Sequence, residues 1–457
     1  MASSPIDDAE RDAIMRRARP VRALPVLGAT PRRYLPLEEP RARDAVFRPV
    51  LAVWEVTLRC DLACRHCGSR AGHARPDELT TDECLDLIRQ LAELGTHEVA
   101  LIGGEAYLRD DWLVLIAAIR DRGMRPTLVT GGRGLTRERA TGAKAAGLFS
   151  ASVSIDGEEA THDRLRGVAG SHRAAFEALA HLREAGIHTA TNTQINRLSM
   201  PELPRVLDRI IAAGVRSWQL QLTVPMGRAA DEPDVLLQPY DLLALFPVLA
   251  DLAKRAAEAN VDVIPGNNVG YFGPHEHVFR GQTRKGHCTG CGAGKLTVGI
   301  EADGTLKGCP SLPTDAYAGG NIRESTLAEV WSRARALRFT RDRTHQNAAQ
   351  ELWGFCATCY YAEECRAGCT WTSHVILGKP GNNPYCHHRA LEMDRMGKRE
   401  RIDRIVAAKG EPFDHGLFAI TVEDAPRVTA EGARGHSTMD VARPPGANEA
   451  RGDLNHE

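Results

Sequence analysis

From about Phe47 to about residue 265 the chain alternates between short apolar runs and amphipathic stretches of helical period. The runs at 51–57, 98–102, 125–129, 150–155, 188–195 and 217–222 have strand length and are rich in Val, Ile, Leu and Thr. Helical patterns follow them in turn at 80–94, 110–122, 136–146, 172–185, 201–213 and 239–259. Thr80, Thr81, Asp82 and Glu83 supply N-capping chemistry for the first helix. Strand-then-helix units at this spacing predict an α/β fold with a parallel sheet covered by helices. Six units rather than eight predict a partial (β/α)6 TIM-like barrel, open on one side. After about residue 265 Gly and Cys become frequent, and helical period is confined to about 325–338 and 385–408. The pattern divides the chain into an extension at 1–45 lying on the first domain, a barrel at 46–270, a small cysteine-rich domain at 271–408, and a flexible polar tail at 409–457.

Charge and composition remove several function classes. Among 457 residues, 58 Lys and Arg balance 59 Asp and Glu, so no basic excess exists to bind a phosphate backbone, and nucleic acid is not expected as a partner. The apolar stretch at 242–250 is shorter than the ~20 residues a membrane span needs. The N-terminus has acids near its start and no apolar core of a secretory signal. A cytoplasmic protein without a membrane partner is therefore expected. The informative number is the 12 cysteines: Cys60, Cys64 and Cys67 together, Cys84 alone, none from 85 to 287, and eight from Cys288 to Cys386. In a reducing cytosol such thiols ligate metals or take part in catalysis more often than they form disulfides.

Cys60, Cys64 and Cys67 form C-x3-C-x2-C directly after the first strand. Three thiolates do not complete a tetrahedral zinc site, but they suit three irons of a cubane cluster with the fourth iron open. The segment CDLACRHC in this place resembles the radical S-adenosylmethionine (SAM) enzymes. That resemblance implies SAM chelated on the open iron of a [4Fe-4S] cluster and reductive cleavage to a 5′-deoxyadenosyl radical that abstracts a substrate hydrogen. Gly103, Gly104 and Glu105 resemble the family's GGE motif, which holds the methionyl amine of SAM. Ser154 and Asp156 fall in a segment resembling SIDG, whose Ser contacts SAM, and Arg166 is a candidate for the SAM carboxylate. Gln194 and Asn196 are candidates to face the adenosine. All these residues fall beyond the carboxyl ends of strands, where parallel sheets bind ligands.

The downstream cysteines read Cys288, Cys291 and Cys309, with Gly304 between the last two, then Cys356, Cys359, Cys365 and Cys369 as C-x2-C-x5-C-x3-C, then Cys386. This matches the SPASM pattern, an iron–sulfur extension of a radical SAM subfamily. The resemblance implies two auxiliary [4Fe-4S] clusters, three clusters in all, with interleaved ligands. Cys288, Cys291, Cys309 and Cys369 would hold the first auxiliary cluster; Cys356, Cys359, Cys365 and Cys386 the second. Spacing alone leaves open two zinc sites of four cysteines each. Cys84, inside the first helix, reads as a core thiol.

SPASM proteins of this kind mostly modify peptides. The resemblance thus implies an oxidoreductase that installs a crosslink or other oxidative change in a ribosomally made peptide. An external one-electron reductant of the flavodoxin or ferredoxin type would feed it. Cys309 is followed by Pro310 and Ser311, which disfavours the sulfatase-maturase branch and its acid at that place, whereas GCPSLP and PFDHG (412–416) look more like peptide maturases of natural-product precursors. About 45 residues before the first strand are too few for a winged-helix leader-binding domain, so leader binding falls to a separate protein or to the extension, or does not occur. The alternatives are a small-molecule substrate, or a non-catalytic iron–sulfur electron carrier; intact GGE and SIDG segments favour the enzyme.

Overall fold

The alternation of side chains along each strand decides which of its faces meets the helices. In β5 (His188–Ile195), Thr189, Thr191, Thr193 and Ile195 are buried, while Ala190, Asn192 and Gln194 stay half-buried on the opposite face. The computed structural model describes residues 37–283, 285–342 and 349–426. β1 (Leu51–Thr57), β2 (Glu98–Gly103), β3 (Arg125–Thr130), β4 (Ser150–Ser154), β5 and β6 (Ser217–Leu222) lie in parallel register, with Leu51 opposite Glu98 and Gln194 opposite Gln221. Helices α1 (Thr81–Glu93), α2 (Trp112–Asp121) and α3 (Arg137–Ala146) connect the first four strands. In α1 the stripe Cys84, Leu87, Ile88 and Leu91 is buried, and Thr80 and Glu83 form a reciprocal capping box. The Cys84 thiol has no exposed surface.

Six features differ from the sequence expectation. A helix α4 (Glu159–Arg166) precedes α5 (Ser171–Glu184), and after α6 (Leu203–Ala212) and α7 (Leu242–Glu258) a seventh strand, β7 (Asp262–Pro265), pairs with β6. The cysteine-rich region does not begin as a separate lobe: β8 (Thr297–Ile300) pairs in parallel with β1, followed by β9 (Thr305–Lys307) and β10 (Gly320–Asn321), giving one ten-stranded sheet. Residues 37–45 of the extension pack on the second domain, and residues 1–36 lie outside the described residues. Glu38 N–H donates to the Arg333 carbonyl at the end of α8 (Leu327–Arg333), and buried Arg338 takes Glu38 and Asp44 as ion partners. Beyond α9 (Thr370–Leu377), the helical reading of 385–408 resolves into α10 (His387–Arg395) and then β11 (Lys398–Val406).

The sixth difference corrects the tail. Residues 409–426 are not a flexible segment, because β12 (Leu417–Asp424) pairs antiparallel with β11 and buries Leu417 and Phe418; residues 427–457 lie outside the described residues. The strap before β12 runs back under the barrel: Phe413 N–H donates to the Gly68 carbonyl, and the Phe413 ring covers the Lys307 ammonium at 3.8 Å. The stretch Pro233–Glu258 is long and apolar enough to cross a membrane, but 56% of its apolar window is buried inside the molecule, as a core helix would be.

A buried charge network joins β1 to the β8–β9 hairpin. Arg75 reaches Glu301 at 3.0 Å, Asp303 at 3.3 Å and Glu55 at 3.5 Å, while Lys307 pairs with Glu301 at 2.9 Å. Burial pushes the Glu55 carboxyl up to about 8, against the pull of Arg75. The folded protein therefore holds a proton that the unfolded chain releases at about 4.5, and stability is lost as pH rises through that window to about 8. Glu55→Gln should flatten this dependence: the fall in thermal midpoint between pH 6 and pH 8.5 should be smaller in the variant than in the wild type. Phe418→Ala should cost about 3–5 kcal/mol by chemical denaturation, the cost of emptying a core aromatic site; a change near zero would return this segment to a flexible tail.

Candidate functional site

The loop after β1 has no regular structure, so its polar backbone must be satisfied from outside. Arg228 donates to the carbonyls of Cys64 (2.6 Å) and Ala71 (3.0 Å), and Arg133 to that of Asp61 (2.7 Å). The N–H groups of Ala63 and Arg65 donate to the Arg166 and Leu165 carbonyls at the C-terminus of α4. The loop thereby satisfies carbonyls that a helix end leaves free.

Each of the three sulfurs then meets a donor. Leu62 N–H lies 3.4 Å from Cys60 Sγ, Arg166 Nη1 3.7 Å from Cys64 Sγ, and Ala71 N–H 3.4 Å from Cys67 Sγ. Burial, with Glu105 nearby, pushes the Cys60 thiol up to about 12; burial pushes Cys64 up to about 11 against the pull of Arg166. Ordinary thiols so placed stay protonated near neutral pH, whereas iron or zinc would deprotonate them. Among the described residues, no three cysteine sulfurs lie within 4.8 Å of one another. A single zinc at ~2.3 Å from each thiolate needs tighter convergence; a cubane with separated irons does not. The donor set fits an iron–sulfur cluster.

The other motif residues cluster around this loop, several in roles the motifs do not announce. Gly104 N–H donates to the Thr57 carbonyl at 2.7 Å and Glu105 N–H to the Arg59 carbonyl at 2.8 Å. A Cβ on Gly103 would stand 2.2 Å from the Thr57 oxygen, and one on Gly104 2.0 Å from the Arg59 oxygen. The glycines thus weld the end of β2 to the cysteine loop, and the N–H groups of Gly104 and Glu105 are spent there. Glu105 is buried; its carboxylate accepts from Thr130 Oγ1 and from Gly131 N–H at 2.6 Å. Burial pushes Glu105 up to about 7 despite these bonds. Its carboxylate also lies within 4.8 Å of ligand atoms of Cys60 and Asp61.

Ser154 exchanges hydrogen bonds with Asn192 (Asn192 Nδ2 to Ser154 Oγ, 3.0 Å), and Ser152 donates to Asn192 Oδ1 at 3.1 Å. Asp156 has no exposed surface: Arg166 Nη2 lies 2.6 Å and His66 Nε2 3.2 Å from its Oδ2. Burial opposes ionisation of Asp156, but Arg166 and His66 outweigh it and hold the carboxyl far below its ordinary range. Asp156 therefore ties Arg166 and His66 together beside the cysteine loop. Gln194 pairs with Gln221 at 2.9 Å on the open inner face. Asn196 is fully buried in its own turn, accepting from Leu198 and Ser199 N–H, and does not face the site. His66, Asn192 and Arg228 are the residues the motif reading missed. Strand alternation alone places Asn192 on the face of Gln194; nothing in the sequence marks Arg228.

The downstream thiols fall into two groups. Cys309 is pushed up to about 11 by burial and by Cys291, and Cys369 to about 12 by burial, Cys291 and Cys309. Burial, with Cys356 and Cys359 close by, pushes Cys386 up to about 12 against the pull of Arg389. Cys288 bridges the groups: its thiol is hydrogen-bonded to Cys365, which holds it below its ordinary value, and it packs with Cys369 on the ring of Tyr271. Between Cys365 and Cys369, Arg366, Ala367 and Gly368 all take positive φ (52°, 60° and 60°). Such strain in non-glycine residues persists only where the surroundings impose it; the Arg366 and Gly368 N–H groups are spent on the Ala362 and Cys365 carbonyls.

Comparison with known proteins agrees with this geometry. The radical SAM superfamily matches residues 54–218, and the SPASM iron–sulfur cluster-binding domain matches residues 291–360. An AdoMet-dependent heme synthase of Methanosarcina barkeri is 30% identical over 357 residues, spanning 75% of this chain and 97% of that protein. The mycofactocin maturase MftC of Mycobacterium ulcerans is 29% identical over 371 residues, 78% of this chain and 93% of its own. The fold is similar to that of Streptococcus suis SuiB bound to its precursor peptide SuiA, with a TM-score of 0.53 and 17% identity over 71% of this chain and 72% of that one. The chain therefore belongs to the radical SAM superfamily: it is an enzyme with a SAM-binding [4Fe-4S] cluster and a C-terminal SPASM domain of auxiliary clusters.

Proposed function

We propose that this enzyme oxidatively modifies a ribosomally made peptide. The observation that carries the reading is the run of uncharged hydroxyl and amide side chains that β4, β5 and β6 turn to one face: Ser152, Ser154, Asn192, Gln194, Gln219 and Gln221. Such groups match the donors and acceptors of a peptide backbone. A tetrapyrrole, with a flat apolar ring and carboxylate arms, calls for aromatic walls and cations instead. The heme synthase relatives nevertheless make a small-molecule substrate the competing reading.

In this reading Cys60, Cys64 and Cys67 hold the SAM cluster. Cys288, Cys291, Cys309 and Cys369 hold one auxiliary cluster, and Cys356, Cys359, Cys365 and Cys386 the other. When bound, the first cluster supplies reductive cleavage of SAM to a 5′-deoxyadenosyl radical, the hydrogen-abstracting agent. The chain's own residues do the rest. Glu105 and Asp61 offer carboxylates to the SAM ammonium beside Cys60, the polar strands orient the substrate, and the hairpin and strap close the barrel's end. A flavodoxin- or ferredoxin-type protein would deliver the electron in the cytosol.

Anaerobic reconstitution should load about twelve irons per chain, three clusters of four. Dithionite and SAM should then yield 5′-deoxyadenosine. Cys60→Ala, Cys64→Ala or Cys67→Ala should each abolish deoxyadenosine and leave about eight irons. Cys365→Ala should keep some uncoupled cleavage and make little product. Mass spectrometry on small peptides encoded beside the enzyme should find the loss of hydrogen that marks a new crosslink or double bond. Conversion of a heme precursor with no peptide changed would overturn the peptide reading while leaving the family intact.

A further inference from the structure

We propose that Arg166, aimed by Asp156, sets how readily the SAM cluster takes up its electron. The inference rests on Cys60, Cys64 and Cys67 holding that cluster and is independent of the substrate. Arg166 is the last residue of α4, and its side chain is only 9% exposed. One nitrogen, Nη1, points at Cys64 Sγ from 3.7 Å and the other, Nη2, at Asp156 Oδ2 from 2.6 Å; Nε is buried and unpartnered. Both terminal nitrogens of the guanidinium are thus engaged, one at a cluster-ligand sulfur and one at Asp156.

The support behind Arg166 is rigid. Asp156 has no exposed surface; its Oδ1 accepts the Gln194 N–H at 2.9 Å, and its own N–H donates to His162 Nδ1 at 3.1 Å. His66 Nε2 approaches the same Asp156 oxygen as Arg166. The helix end carrying Arg166 is itself pinned to the cysteine loop by Ala63 and Arg65 N–H. The guanidinium therefore cannot swing away from Cys64 without breaking a buried ion pair.

The consequence is electrostatic. A four-iron cluster on three thiolates is anionic, and reduction makes it more so. A fixed cation touching one ligand sulfur, away from water, favours the added electron, as hydrogen bonds to cluster sulfurs do generally. Asp156 offsets part of this field. Of the two, Arg166 acts the more strongly on Cys64, because it contacts the sulfur directly.

The test is an anaerobic redox titration of reconstituted full-length enzyme, without substrate, followed by low-temperature electron paramagnetic resonance. The auxiliary clusters serve as internal reference, with iron content and SAM binding measured alongside. Arg166→Gln should keep its iron but show about a tenfold lower reduced-to-oxidised ratio of the SAM cluster at a fixed potential, about 59 mV for one electron. Arg166→Lys should recover part of that loss. Full iron with an unchanged midpoint in Arg166→Gln would overturn the proposal; weaker SAM binding in that variant would return Arg166 to the carboxylate. If Arg166→Gln loses the cluster, Arg166→Lys decides. A shifted midpoint there supports the proposal. An unchanged midpoint, or loss of the cluster again, overturns it. A wild-type chain without any reducible cluster on these cysteines would instead fail the ligand assignment itself.

Discussion

Three sulfurs on one irregular loop must be held in place before any chemistry can occur, and a loop cannot hold itself. Residues 58–72 make few backbone hydrogen bonds of their own, so their carbonyls and N–H groups are taken up by neighbours. Arg228 comes from beyond β6, Arg133 from beyond β3, the Gly104 and Glu105 amides from beyond β2, and carbonyls from the end of α4. All lie at the carboxyl ends of parallel strands, where the fold brings loops from distant sequence together. The barrel is in this sense a frame for one loop.

The same constraint explains why the second domain grows from the barrel's edge rather than standing apart. β8 takes the position beside β1 on the side away from β2, so the hairpin leading to Cys309 is registered on the strand that leads to Cys60. Arg75 and Lys307, both paired with the buried Glu301 carboxylate, lock that register with charges whose burial would be costly if they were separated. Phe413 then closes over Lys307 while its N–H holds the Gly68 carbonyl, one residue past Cys67. One strap contacts both cluster-bearing segments.

How much of this the sequence carries depends on the range of the signal. Six strands and the helices between them are visible because apolar period is a local property, and α1 announces its start with Thr80 and Glu83. α4 (EATHDRLR) is short and polar, and it exists largely to end at the cysteine loop, a tertiary reason that leaves no period. β7 has four residues and ends in Pro265; β11 (KRERIDRIV) is charged enough to pass for a continuing helix. At the site, cysteine spacing is legible because metal chemistry fixes ligand type and number. The roles of Gly103, Gly104 and Asp156 are not, because a close backbone approach and a buried ion pair look the same in sequence as ligand contacts.

The division of labour that results limits where substrate choice can reside. The residues around the cysteine loop are committed to one another: Asp156 to Arg166 and His66, Glu105 to Thr130 and Gly131, and the two glycines to β1. Changing any of them disturbs the cluster before it alters a substrate. The inner face of β4, β5 and β6 has no such commitments beyond pairs such as Ser154 with Asn192 and Gln194 with Gln221. These pairs can exchange their hydrogen bonds for those of a bound molecule at little net cost, since one neutral hydrogen bond replaces another. Substitution there leaves the buried helix-facing side of each strand untouched, because successive residues point to opposite faces. Relatives of similar identity but different named products are what such an arrangement allows: one scaffold for the radical, and a separate, replaceable surface for what it acts on.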